Sequence, residues 1–146
     1  MSARHWIAIG VGAVGVLLLI RATTVSRIAD AIGFVESGGR YDAVGPTTKS
    51  GNRAYGKYQV MDFNIPTWTA DVLGRSLTPG EWLADHAAQD TVARAKIAEY
   101  FGSYPNAADV ASLWFSGRPL AQASGSSDVT GTSVPEYVRR VLDALS

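Results

Sequence analysis

Ile32-Gly33-Phe34-Val35-Glu36-Ser37-Gly38-Gly39 is the stretch that decides how the rest of this chain is read. Upstream of it, Val25, Ile28, Ala29, Ile32 and Val35 recur at spacings of three and four, which predicts one apolar face of a helix. Gly38 and Gly39 end that helix, because glycine takes the left-handed backbone that closes helices. Glu36 then sits in the last turn, where the negative end of the helix dipole disfavours a charged carboxylate. Apolar neighbours add a desolvation cost. Both effects raise a carboxyl pKa, and a carboxyl that keeps its proton near neutral pH can serve as a general acid. The plainer reading is a solvated glutamate at a helix end.

The chain of 146 residues suits a single domain with a real core. It is 47% hydrophobic and 18% charged, which excludes a disordered chain. Its formal net charge is zero, and nothing in the sequence suggests an electrostatic nucleic-acid binder, which would need a basic face. There is no cysteine, which removes disulfides, thiol nucleophiles and thiolate metal sites. The two histidines, His5 and His86, stand far apart, so we expect no metal centre, no Ser-His-Asp triad and no cofactor.

Trp6 to Ile20 is uncharged and apolar, with Arg4 and Arg21 on its flanks. It predicts an N-terminal transmembrane anchor over residues 1–24, the soluble domain occupying 25–146. A cleaved signal peptide and a buried core helix are the competing readings. Arg40 to Arg53 reads as a long surface loop. Asn64 with Pro66, Thr78-Pro79-Gly80-Glu81, Asp85, Asn106 and Ser133-Val134-Pro135-Glu136 each mark a helix start. The longest soluble helix runs from about His86 to Phe101, with Ala88, Val92, Ala95 and Tyr100 on one face. The last carries Val134, Tyr137, Val138, Val141, Leu142 and Leu145. No convincing strand pair is visible. The expected class is a small all-α domain on a membrane-anchoring helix.

Four separated stretches carry the chemistry: Glu36-Ser37-Gly38-Gly39, Ala54-Tyr55-Gly56-Lys57-Tyr58-Gln59-Val60-Met61, Ala111-Ser112-Leu113-Trp114-Phe115-Ser116-Gly117 and Pro135-Glu136-Tyr137-Val138. In order and spacing this set resembles the soluble lytic transglycosylases, which share a core with goose-type lysozymes. The resemblance covers roughly residues 25 to 145. It implies a lysozyme-like helical fold and cleavage of the MurNAc–GlcNAc β-1,4 bond of peptidoglycan. Glu36 matches the catalytic acid of that family, and Tyr137 the late tyrosine whose hydroxyl bonds it. Ser37 matches the serine that helps position the glutamate. Gly56 and Gln59 match the Gly-Leu-Met-Gln motif, with Gln59 lining the glycan cleft. Lys57 and Tyr58 stand where Leu-Met is usual, which makes for a more polar cleft floor. Trp114-Phe115-Ser116-Gly117 stands where Tyr-Asn is common, and Trp114 and Ser116 are its substrate-binding candidates.

Tyr55 and Tyr58 are candidates for stacking on sugars, while Trp68, Trp82 and Trp114 read as core. Lys57 and Arg118 read as solvated or as contacts to the peptide stems. No second carboxylate has a matching context; Asp42 and Asp62 are the nearest in sequence. The family dispenses with one. The substrate N-acetyl group supports the cationic centre, and the 6-hydroxyl closes on C1 to give a 1,6-anhydro end. Water in that place would make a lysozyme, and loss of turnover would leave a glycan-binding module. The expected partners are peptidoglycan strands, the membrane through the N-terminal helix, and virion or secretion-apparatus proteins. The catalytic domain would then lie in the periplasm or cell-wall space, or on a virion. The compact size and the Trp-Phe-Ser-Gly-Arg-Pro form of the third motif resemble phage-encoded members.

Overall fold

The computed structural model describes residues 12–128 and 130–146. The chain is mostly helical. Helix α1 spans Ala13–Ser37; a two-stranded hairpin, β1 Ala54–Tyr55 and β2 Val60–Met61, follows. Then come α2 Ile65–Leu73, α3 Pro79–Ala84, α4 His86–Ser103, α5 Ala107–Ser116, α6 Leu120–Ala123 and α7 Val134–Leu145.

Local signals set most of these ends. Thr78 and Glu81 form a reciprocal capping box on α3, Asp85 accepts from the Ala88 N–H to start α4, and Asn106 accepts from Asp109 to start α5. Ser133 caps α7 through the Glu136 N–H, but the Glu136 carboxylate turns away to pair with Arg140. Asn64 begins α2 without a side-chain cap, and Pro66 in the first turn supplies a preset φ instead. Gly38 ends α1 at φ 66°. Its N–H bonds the Phe34 carbonyl and the Gly39 N–H bonds that of Gly33.

The C-terminal half of α1 is the centre of the core. Its face of Val25, Ile28, Ala29, Ala31 and Ile32 is buried against α7 and α4. Val92, Ala93 and Ile97 of α4, Val110 and Ala111 of α5, and Val138 and Val141 of α7 complete it, with Trp82 beneath the hairpin. On α4 the buried face is Ala88, Gln89, Val92, Ala93 and Ile97, so Ala95 and Tyr100 lie at its margin. On α7, Leu142 is exposed.

One expectation is corrected. A strand pair exists: Ala54 pairs with Met61 and Tyr55 with Val60, antiparallel. Two residues per strand are too few to show an alternating pattern, and side chains from elsewhere hold this hairpin. No helix among the described residues is long and apolar enough to cross a membrane. Helix α1 carries Arg21, Arg27 and Asp30, and its second half is spent on the domain core. The expected span from Trp6 to Ile20 lies in part outside the described residues. The boundary expected between residues 24 and 25 falls inside this one continuous helix.

Candidate active site

Glu36 occupies the last turn of α1, and Tyr137 reaches it from the first turns of α7. The Tyr137 hydroxyl donates to Glu36 Oε1 at 2.6 Å, across 101 residues of sequence. Tyr137 is buried, its ring stacked on Phe115 with centroids 4.4 Å apart. By surface area Glu36 is only half-buried, yet protein atoms surround its carboxyl densely. That crowding is the main reason its pKa rises from 4.5 to about 7. The Tyr137 hydrogen bond pulls it down, and the charge of Asp128 pushes it up. Burial and the Glu36 carboxylate in turn drive the Tyr137 hydroxyl well above its usual value, so it remains a donor.

The hairpin beside this pair is held by its backbone. The Tyr55 carbonyl accepts from Trp82 Nε1 at 3.1 Å. The Lys57 N–H donates to Gln89 Oε1 at 2.8 Å, and its carbonyl accepts from Ser37 Oγ at 2.8 Å. The Tyr58 carbonyl accepts from Trp114 Nε1 at 3.2 Å. Gly56 has φ 83°, and a Cβ there would lie 2.3 Å from Gln89 Oε1, so glycine is required twice over. Gln59 turns the chain back at φ 50° and donates from Nε2 to the Gly56 carbonyl at 3.0 Å. Gln89 is fully buried on α4, and its amide also donates to the carbonyls of Tyr41 and Trp82. One side chain therefore satisfies three backbone groups that burial would otherwise leave without partners.

The structure places all but one of the expected site residues in three settings. Glu36 and Tyr137 meet directly. Ser37, Gly56, Gln59 and Trp114 frame the hairpin, and Ser37 also accepts from the Arg40 N–H at 2.9 Å. Ser116 lies at the end of α5, its hydroxyl bonded to the Ser112 carbonyl at 2.8 Å. Tyr58 departs from expectation: it is fully buried and donates to Asp90 Oδ1 at 2.7 Å, so it has no face to offer a sugar. Lys57 departs too. Its ammonium turns inward, 3.2 Å from Asp90 and about 5 Å above the rings of Tyr41 and Tyr58. Burial works against the Asp90 charge, but hydrogen bonds from Tyr58, Tyr41 and Lys57 outweigh it and hold the carboxyl below its usual range. Lys57 and Asp90 thus form a part-buried ion pair.

Three residues around the site carry little signal in the sequence: Gln89, Asp90 and Asp128. A glutamine among the small and branched residues of an apolar face was the one readable signal, at Gln89. Asp128 organises the turn before α7, accepting from the N–H groups of Thr130 and Thr132 at 2.9 and 2.8 Å. With Pro46, Thr47, Thr48 and Lys49 it lines a groove of about 570 Å³. No set of three or more His, Asp or Glu suited to a metal occurs among the described residues.

Compared with known proteins, the chain matches no family model, no curated protein and no solved structure. The functional reading therefore rests on the site itself.

Proposed function

We propose that this protein is a peptidoglycan lytic transglycosylase, with Glu36 as its acid and base. The observation that carries this reading is the Glu36–Tyr137 pair: a carboxyl with its pKa near 7, oriented by a neutral donor at 2.6 Å. A glycosidic oxygen leaves poorly unless protonated as its bond breaks. Glu36 gives its proton to the bridging oxygen, and the C1–O4 bond opens. The N-acetyl group of the same sugar supports the cationic C1. Glu36, now a carboxylate, takes the proton from the 6-hydroxyl as O6 bonds to C1. The product carries a 1,6-anhydro end, and no water is consumed.

A second reading has one observation in its favour. Asp128 lies close enough to influence Glu36, and ordinary inverting glycosidases pair an acid with a second carboxylate that activates water. Against it, both Asp128 oxygens already accept from Thr130 or Thr132. Digestion of purified peptidoglycan followed by mass spectrometry separates the two. Transglycosylation gives anhydro ends lighter by one water than the ends of hydrolysis. If only reducing ends form, the muramidase reading replaces the first.

We place the protein at a membrane facing the cell wall, or on a virion that opens the wall locally. The apolar run from Trp6 to Ile20 supports the first setting.

A further inference from the structure

Among the described residues, the N-terminal half of α1 has no protein neighbour over most of its surface. Leu17, Leu18, Leu19 and Ile20 are 65%, 62%, 64% and 57% exposed, and Val14 72%. Four consecutive positions step about 100° each and so cover the whole circumference of the helix. A protein partner would require one apolar stripe; a helix apolar all round suits a solvent that surrounds it. Upstream of Ile20 the sequence stays uncharged to Trp6. Thr23 and Thr24 turn their hydroxyls back onto the carbonyls of Leu19 and Ile20, at 3.0 and 2.9 Å, so neither hydroxyl is left as a free donor. The occupant these features fit is the lipid bilayer.

The same helix then enters the domain without a break. No proline lies within α1. At Gly33 a Cβ would lie 2.9 Å from Lys57 Cε, so that glycine serves the close approach of the hairpin and is not a hinge. Arg21 Nη2 donates to the Ala98 carbonyl of α4 at 3.1 Å and lies against Gly102. Arg27 donates to the Leu145 carbonyl of α7 at 2.9 Å. Two helices are thus fastened to α1 just past its exposed apolar segment. Glu36 stands at the opposite end.

We propose that α1 is a rigid strut that runs from the bilayer into the domain and holds Glu36 at a fixed height above the lipid. From Arg21 to Glu36 the helix rises about 22 Å at about 1.5 Å per residue. This inference rests on the membrane setting proposed above. Its substrate is then restricted to glycan that passes within that reach, since no linker lets the domain search outward.

The absence of cysteine permits single labels on the full-length chain. Tyr104→Cys, just past the end of α4 near Arg21, marks the base; Phe34→Cys, 66% exposed, marks the top. Each labelled protein is reconstituted in phosphatidylcholine vesicles with acceptor dye in the headgroups, and energy transfer gives its height. We expect the Tyr104 label close to the headgroups and the Phe34 label about 20 Å farther out, with a narrow distribution. Inserting six Gly-Ser residues after Ala22 should broaden both distributions. Equal heights, or broad ones without the insertion, overturn the strut. Failure to bind vesicles, including self-association of this chain through the apolar segment instead, overturns it as well. Turnover of soluble peptidoglycan fragments by the same labelled proteins reports separately on the enzyme reading.

Discussion

Glu36→Gln should separate stability from catalysis through pH. Glutamine keeps the shape and can still accept from the Tyr137 hydroxyl, but it never ionises. In the wild type, crowding raises the carboxyl from 4.5 to about 7 in the folded state. The native site therefore prefers the neutral form, and ionisation is unfavourable there. The stability linked to this preference is fully present below about pH 4.5 and is lost as pH rises through about 7. At about 1.36 kcal/mol per tenfold change, the loss is at most about 3 kcal/mol. Glu36 retains some solvent access, which screens the effect and leaves about 1–2 kcal/mol. For a chain of this size that is about 2–8 °C in Tm. The melting temperature of Glu36→Gln relative to wild type should therefore climb by that amount between pH 4.5 and pH 8. Turnover of peptidoglycan should fall by about two to four orders of magnitude at every pH. The assay is differential scanning fluorimetry across a pH series, beside muropeptide release. A difference in Tm that does not change with pH would mean the carboxyl is not held neutral. Wild-type turnover in the variant would end the enzyme reading.

Three further outcomes follow from the same site. Tyr137→Phe keeps the ring on Phe115 and should cost about 0.5–1.5 kcal/mol in denaturant melts. Its rate should drop about a hundredfold, and the alkaline limb of its pH profile should move upward, because the lost hydrogen bond was lowering the Glu36 pKa. Asp128→Asn keeps the carbonyl acceptor of its turn and removes a neighbouring charge, so the alkaline limb should move downward; an unmoved limb would show that Asp128 is not felt at Glu36. Gln89→Leu strips partners from the Lys57 N–H and the carbonyls of Tyr41 and Trp82, and urea melts should show a loss of at least about 2 kcal/mol. Wild-type stability in that variant would mean that water replaces the amide.

Much of the helical layout could be read from local chemistry. Thr78 with Glu81, Asp85, Asn106 and Gly38 act within a few residues of themselves, so their signals survive in sequence. Glu36 stands out in the sequence by its position at a glycine-ended helix, which already predicts a raised pKa. The larger cause is burial, which depends on residues far along the chain. The hairpin was illegible for the same reason: Trp82, Gln89, Trp114 and Ser37 hold its carbonyls and amides across 20 to 56 positions. Tyr58 shows the limit most clearly. A tyrosine beside a polar loop suits a sugar-facing surface and a buried site equally, and only the position of Asp90 decides between them.

The hydrogen bond between Tyr137 and Glu36 also bears on the order in which the molecule comes to life. The acid is translated early and its orienting donor about a hundred residues later. Closing a loop of that length is entropically slow compared with forming α1 or α4. A chain still emerging from the ribosome would hold Glu36 at the end of α1 but would lack the hydroxyl that aims it. The competence to cut would then arrive late, with the docking of α7, and the same closure that finishes the core would finish the site.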